Sequence, residues 1–222
     1  MQSFEEIHAL AAKRHSGPKA LAAKINKPAS KAKLSKIPDH RWLSNFSKSV
    51  FQAGFVWRVV ENKWADFETV FEQFDLVHCA YLSDEAIEAL TNDTRVIRHL
   101  KKLHSVRANA SYLLEKSQEH QGVGRFITSF GPENYAGLLM ELKKNASRLG
   151  GTSAQYGLRR MGVDSFVLSN DVLRALQRAK IITKTASSKR DLSNVQTAFN
   201  YWREESGRSL TEISRTLAMS TD

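Results

Sequence analysis

Apolar positions recur along this chain at spacings of three and four, the period of helices, and no run of any length alternates like a half-buried strand. Val50, Phe51, Gly54, Phe55, Trp57 and Val60 make one broad apolar face and predict a long helix over about 45–62. Phe67, Val70, Phe71 and Phe74 continue the spacing in "ADFETVFEQF". Further helices are expected over "DEAIEALTND", capped by Ser83, over "RVIRHLKKLHSVRANASYLLEKS", over 135–149 and over "SAQYGLRRMG". Ser3 with Glu6 and Ser209 with Glu212 read as capping boxes, while Gly17-Pro18 ends one helix and opens another. The run Phe166-Val167-Leu168 is too short to build a sheet on. The expected fold class is all-α.

Composition narrows the picture without naming a function. A hydrophobic share of 41% and a charged share of 25% are those of a globular protein rather than a disordered one. With Cys79 alone, no intrachain disulfide and no thiolate zinc site is possible, and a reducing cytoplasm fits. No apolar run is long enough to span a bilayer, and no secretory signal opens the chain. The net charge of +10 is segregated: residues 1–50 hold ten Lys/Arg against three Asp/Glu, and residues 143–190 hold eleven against two. Residues 61–93 reverse this, with nine acids and one lysine. If the basic segments share a face they suit a polyanion, and solvated helix faces are the plain alternative. The basic, proline-punctuated stretch "KINKPASKAKLSKIPD" is expected to be a mobile connector.

Two stretches carry chemistry. In "RLGGT", Gly150, Gly151 and Thr152 join two helices by a turn whose free N–H groups can hold a phosphate, with Lys143, Lys144, Arg148, Arg159 and Arg160 around it. A helix stop is the plain alternative for such a turn. In "VFQAGFVW", Gln52 and Gly54 stand where an ordinary core helix would carry leucines, so this segment is both spine and candidate pocket wall.

"FQAGFVWRVVENKWADFETVFEQFD" followed by "IRHLKKLHSVRANA" resembles the 3-methyladenine DNA glycosylase I family. The family pattern Gln-Ala-Gly-x-x-Trp falls on Gln52, Ala53, Gly54 and Trp57, and its later elements on Phe74-Asp75, Ile97-Arg98 and Asn109-Ala110. Asp39 and Trp42 match an upstream Asp-x-x-Trp, and Asn170-Asp171 a downstream Asn-Asp. The resemblance implies a helix-hairpin-helix DNA glycosylase of two helical lobes with a base pocket between them, excising alkylated purines from double-stranded DNA after flipping the base. It implies that Trp42 and Trp57 stack the base, that Ser49, Gln52 and Asn170 touch it, and that Lys48, Arg148, Gly150, Gly151 and Thr152 hold the DNA.

The departures matter as much. Ser49 stands where the family has an acidic residue against the base. The family's zinc is held by two cysteines and two histidines, but Pro38 and Val172 occupy the histidine places, so neither metal nor cofactor is expected. Asp171 is the candidate catalytic carboxylate, with Ser169 competing for its place in the alignment and helix capping its plain alternative. Asp39 is a second carboxylate with the same alternative. His99 and His104, five apart, do not make a metal face. A basic extension and linker is expected over 1–38 and a glycosylase-like body over 39–222. The body divides into a first lobe at 39–133, the hairpin region at 134–190 and C-terminal helices at 191–222. A monomeric, non-membrane enzyme is expected, with an inactive damaged-DNA-binding protein as the alternative.

Overall fold

The structure is a computed structural model that describes residues 2–186 and 188–221. Among the described residues it is all-helical, as the periodicity predicts, with no strand. In chain order the helices are α1 (Phe4–Arg14), α2 (Pro18–Ala22), α3 (Lys31–Leu34), α4 (Asp39–Gln52), α5 (Trp57–Val70), α6 (Leu76–Ala80) and α7 (Asp84–Ala89). There follow α8 (Leu100–His120), α9 (Val123–Ser129), α10 (Tyr135–Asn145), α11 (Thr152–Arg160), α12 (Asn170–Arg178), α13 (Lys189–Ser206) and α14 (Leu210–Met219).

Several boundaries differ from the periodic pattern, each for a local reason. The helix expected over 45–62 is two helices. Ala53 leaves the helical region at φ −63°, ψ 117°, and Gly54 turns the chain at φ +74° before α5 restarts at Trp57. Gly54 does not serve close helix packing: a Cβ there would meet open space, and only the positive φ requires glycine. The helix expected from Arg95 starts at Leu100, because Asp93 accepts the Arg95 backbone N–H at 2.8 Å and His99 is extended. The basic connector contains α3, capped by Ser30 and seated on the buried Leu34, so it is not a bare linker.

The chain forms two compact units. One comprises the segment up to Ala29, Phe130–Met140 and everything from Gly162 on. Its core is aromatic: Phe166 meets Tyr135 edge-on at 4.8 Å and lies 4.7 Å from Phe199, which abuts Trp202 at 5.6 Å. The indole N–H of Trp202 donates to the Gln2 carbonyl and the Phe4 N–H to the Glu205 carboxylate, so the first helix is tied to α13. The extended run through Phe166–Leu168 belongs to no sheet among the described residues, and its Val167 N–H donates to the Ser214 hydroxyl. Both predicted capping boxes form.

The other unit comprises Ser30–Ser129 and Glu141–Met161. Trp64 stacks on Phe67 at 4.9 Å and on Phe74 at 5.4 Å, and Phe51 meets Phe67 edge-on at 4.7 Å. Residues 72–74 take φ of 47°, 58° and 60°. A left-handed turn of non-glycine residues costs about 1–2 kcal/mol per residue. Complete burial of Phe74 in the stack offsets part of it. Cys79 is buried beneath this turn, and burial pushes its thiol up to about 12, so it is no nucleophile at neutral pH. Asp39 does act as a cap, though not of its own helix. Its carboxylate accepts the Ser117 hydroxyl and, at 2.8 Å, the Val123 N–H that opens α9. Both oxygens are thereby engaged, which removes Asp39 from the list of carboxylates for chemistry.

Candidate functional site

Within the second unit a cleft of about 290 Å³ opens where the turn after α4 meets the start of α11. Ser49, Gln52, Ala53, Gly54, Phe55 and Trp57 line one side, and Thr152, Ser153 and Tyr156 the other. That is the lower end of the size range of small-molecule sites. Trp57 is half exposed, and its indole meets the Tyr156 ring edge-on at 5.5 Å and 84°. Ser49 and Gln52 are buried, one helical turn apart on α4.

Three devices shape this cleft. First, Lys102 reaches from α8 under the turn and donates to the Phe51 carbonyl at 3.0 Å and the Ala53 carbonyl at 2.6 Å. These are end-of-helix carbonyls without intrahelical partners. The ammonium lies 4.4 Å from the centre of the Phe55 ring, and burial, with the Arg148 charge second, lowers its pKa. Second, Asn109 is fully buried and makes two bonds to Ser147, accepting its N–H at 2.7 Å and donating to its carbonyl at 3.0 Å. This fixes the approach to α11. Third, α11 lies close against α4 at Gly157, whose carbonyl accepts from Asn45 at 2.9 Å. A Cβ on Gly157 would lie 3.0 Å from the Ser49 hydroxyl and 3.1 Å from Phe46. Gly157→Ala is therefore expected to destabilise the fold by about 1–3 kcal/mol in urea titrations. A loss below 0.5 kcal/mol would mean that the two helices separate freely.

Behind the cleft wall, Gln52 is bonded to charged side chains that the sequence pattern does not group with it. Gln52 donates to Glu61 at 2.8 Å and accepts from Arg160 at 2.5 Å, and Glu61 takes its other bond from Lys48 at 2.5 Å. Lys48, expected to hold a phosphate, is thus engaged with a carboxylate.

The structure treats the other candidate residues unequally. Trp42 is fully buried, packed at 6.2 Å from Phe46, and does not line the cleft; its place at the centre of α4's apolar face makes it core. Asn170 and Asp171 lie in the first unit, in the opening turn of α12. The cap of that helix is Ser169, which accepts the Val172 N–H, so Asp171 is not the N-cap; it pairs with Arg174 at 2.7 Å. Gly151, at φ +58°, caps α11 from its backbone, and Arg148, Gly151 and Thr152 are exposed around the hairpin. A zinc site does not fit: Pro38 and Val172 are not ligands, and among the described residues no three His, Cys, Asp or Glu converge. Tyr156, Ser153, Glu61 and Lys102 escaped the sequence reading, and Phe55 entered it only as part of the candidate pocket wall. The spacing of Ser153 and Tyr156 on one face of α11 was a usable signal, whereas nothing in the sequence pointed to Glu61.

The sequence profile of methyladenine glycosylases matches residues 37–154, more than half of the chain, including every residue that lines the cleft except Tyr156. The chain belongs to the methyladenine glycosylase family. Within it, DNA-3-methyladenine glycosylase 1 of Escherichia coli (strain K12) is 34% identical over 79 residues, 36% of this chain and 42% of that enzyme. The aligned stretch thus spans less than half of the relative. The 3-methyladenine DNA glycosylase I of Staphylococcus aureus superposes with a TM-score of 0.53 at 17% identity, over 70% of this chain and 90% of that one. An 8-oxoguanine glycosylase/lyase of Methanocaldococcus jannaschii, solved with a 15mer DNA containing 8-oxoguanine, superposes with 0.55 at 15% identity over 96% and 95%. At such identities the likeness is one of fold, that of helical DNA glycosylases. Asn170 and Asp171 fall beyond the stretch that the family profile matches.

Proposed function

We propose that this methyladenine glycosylase family member hydrolyses the N-glycosidic bond between deoxyribose and an alkylated purine such as 3-methyladenine in double-stranded DNA. The observation that carries this is the cleft itself: an exposed indole, edge-on to a tyrosine, over a buried glutamine, beside a glycine hairpin with exposed cations.

Chemistry favours the assignment. A 3-methylated adenine is cationic in DNA, which weakens its glycosidic bond before any protein group acts. The protein's task is to flip the base, hold it and admit water. Trp57 would hold it, since an aromatic face attracts a cation and stacks on any base. Gln52 and Ser49 would read its edge. Arg148, Gly151 and Thr152 would contact the phosphates, with the start of α11 offering N–H groups not capped by a side chain. Asp171 is the catalytic carboxylate we propose, on the family resemblance alone. The protein would act as a monomer in the cytoplasm, and among the described residues no helix is long and apolar enough to cross a membrane.

The test is release of free base from methylated duplex DNA, followed by chromatography, with Asp171→Asn alongside. Release of 3-methyladenine that falls in the variant supports both the activity and the carboxylate. Undiminished release keeps the activity and removes Asp171. DNA binding without release leaves a damage-binding protein, the outcome that Ser49 in place of the acid would explain.

A further inference from the structure

A buried glutamine at a binding cleft reads a ligand well only if its amide is held one way round. Gln52 is 3% exposed and lines the cleft. Its Nε2 donates to Glu61 Oε1 at 2.8 Å, and its Oε1 accepts from Arg160 Nη2 at 2.5 Å. The two partners come from different elements, α5 and α11, and both are exposed residues whose charged ends reach inward to Gln52. Each is itself held: Glu61 Oε2 takes the Lys48 ammonium, and Arg160 Nη1 reaches the buried Asn45 Oδ1 at 3.4 Å.

Turning the amide over would set its N–H against a guanidinium and its carbonyl against a carboxylate. Both contacts would be repulsive at under 3 Å, so the charges, and not only the fit, dictate the orientation. Neither Glu61 nor Arg160 lines the cleft. Position 49 supplies no charge, and its hydroxyl donates to the Asn45 carbonyl.

We propose that Glu61 and Arg160 are positioning residues that clamp the Gln52 amide in one orientation, and so fix the donor and acceptor pattern offered to a base in the cleft. The inference rests on the reading of this cleft as a base site. Gln52 keeps one N–H and one carbonyl lone pair uncommitted to the clamp, and these are what a base edge can meet. A base that offers an acceptor to the one and a donor to the other is favoured over its mirror pattern.

The experiment is a set of cycles with Glu61→Gln, Arg160→Met, Gln52→Ala and the two doubles containing Gln52→Ala. Each is measured for 3-methyladenine release from methylated duplex and for binding of free 3-methyladenine by calorimetry. Each single clamp variant should lose about tenfold in kcat/KM, the worth of one charge-assisted hydrogen bond. In the Gln52→Ala background the same changes should cost less than about twofold, because an effect through Gln52 vanishes with it. A loss of stability alone would persist in both backgrounds. Full-sized losses without Gln52, or no loss in the single variants, overturn the clamp.

The geometry has its own readout. In wild type the Gln52 side-chain amide should give one dispersed pair of NMR signals that collapses toward free-amide shifts in either clamp variant. If wild type neither releases nor binds 3-methyladenine but shows this pair, the substrate reading has failed and the clamp stands. An averaged pair in wild type sinks the clamp whatever the activity.

Discussion

Trp57→Ala lowers kcat/KM for release of 3-methyladenine on the order of tenfold to a hundredfold, while the fold keeps its stability. Stacking of one base on an aromatic side chain is worth about 1–3 kcal/mol, and each 1.36 kcal/mol is tenfold in rate. The indole is half exposed at the start of α5, so its removal leaves no cavity, and a stability change within about 0.5 kcal/mol is expected. Trp57→Phe keeps a ring face and should recover most of the rate. Steady-state release assays beside thermal melts separate the two quantities. Trp42→Phe should behave in the opposite way, since that side chain is wholly buried: it loosens the core without touching the cleft. Wild-type rates from Trp57→Ala would remove the stacking role from Trp57 and leave Phe55 and Tyr156 as the aromatic groups of the cleft.

Lys102→Met costs about 1–3 kcal/mol of stability, because it strands the buried Phe51 carbonyl and leaves the Ala53 carbonyl to water. Methionine fills much the same volume, so the loss reads the hydrogen bonds rather than a void. Base release falls with it, since the freed turn carries Ala53, Gly54 and Phe55, which line the cleft. Urea titration followed by circular dichroism measures the first effect and the release assay the second. A loss under 1 kcal/mol would show that solvent replaces the ammonium and that the turn stands by itself.

How much of this was legible beforehand depends on the distance over which each cause acts. Helix starts were readable because a cap is settled within three residues: Ser3, Ser83 and Ser209 all cap as their sequences require. The aromatic spine was readable because Phe67, Phe71 and Phe74 must share a face once the segment turns. The break inside 45–62 was harder, since the apolar spacing runs across it; Gly54 marked the place but not the direction. Of the two tryptophans, the motif favoured Trp57 for the pocket and left Trp42 open between pocket and core. Both sit on apolar faces, and only the packing around α4 buries Trp42 while the turn lifts Trp57 to the surface. Asp39 shows the same limit, for its partners Ser117 and Val123 lie more than seventy residues away.

The sequence by itself determined an all-helical chain, its caps, its glycine turns and the motif that places Gln52 and Trp57 together, because those follow from local backbone preferences and side-chain period. The tertiary structure alone decided that Trp42 belongs to the core, that Lys102 supports the wall of the cleft, and that Glu61 and Arg160 grip Gln52 from opposite ends. Hydrogen bonds between residues 108 positions apart depend on how helices pack, and packing is fixed by the whole core rather than by any stretch of it.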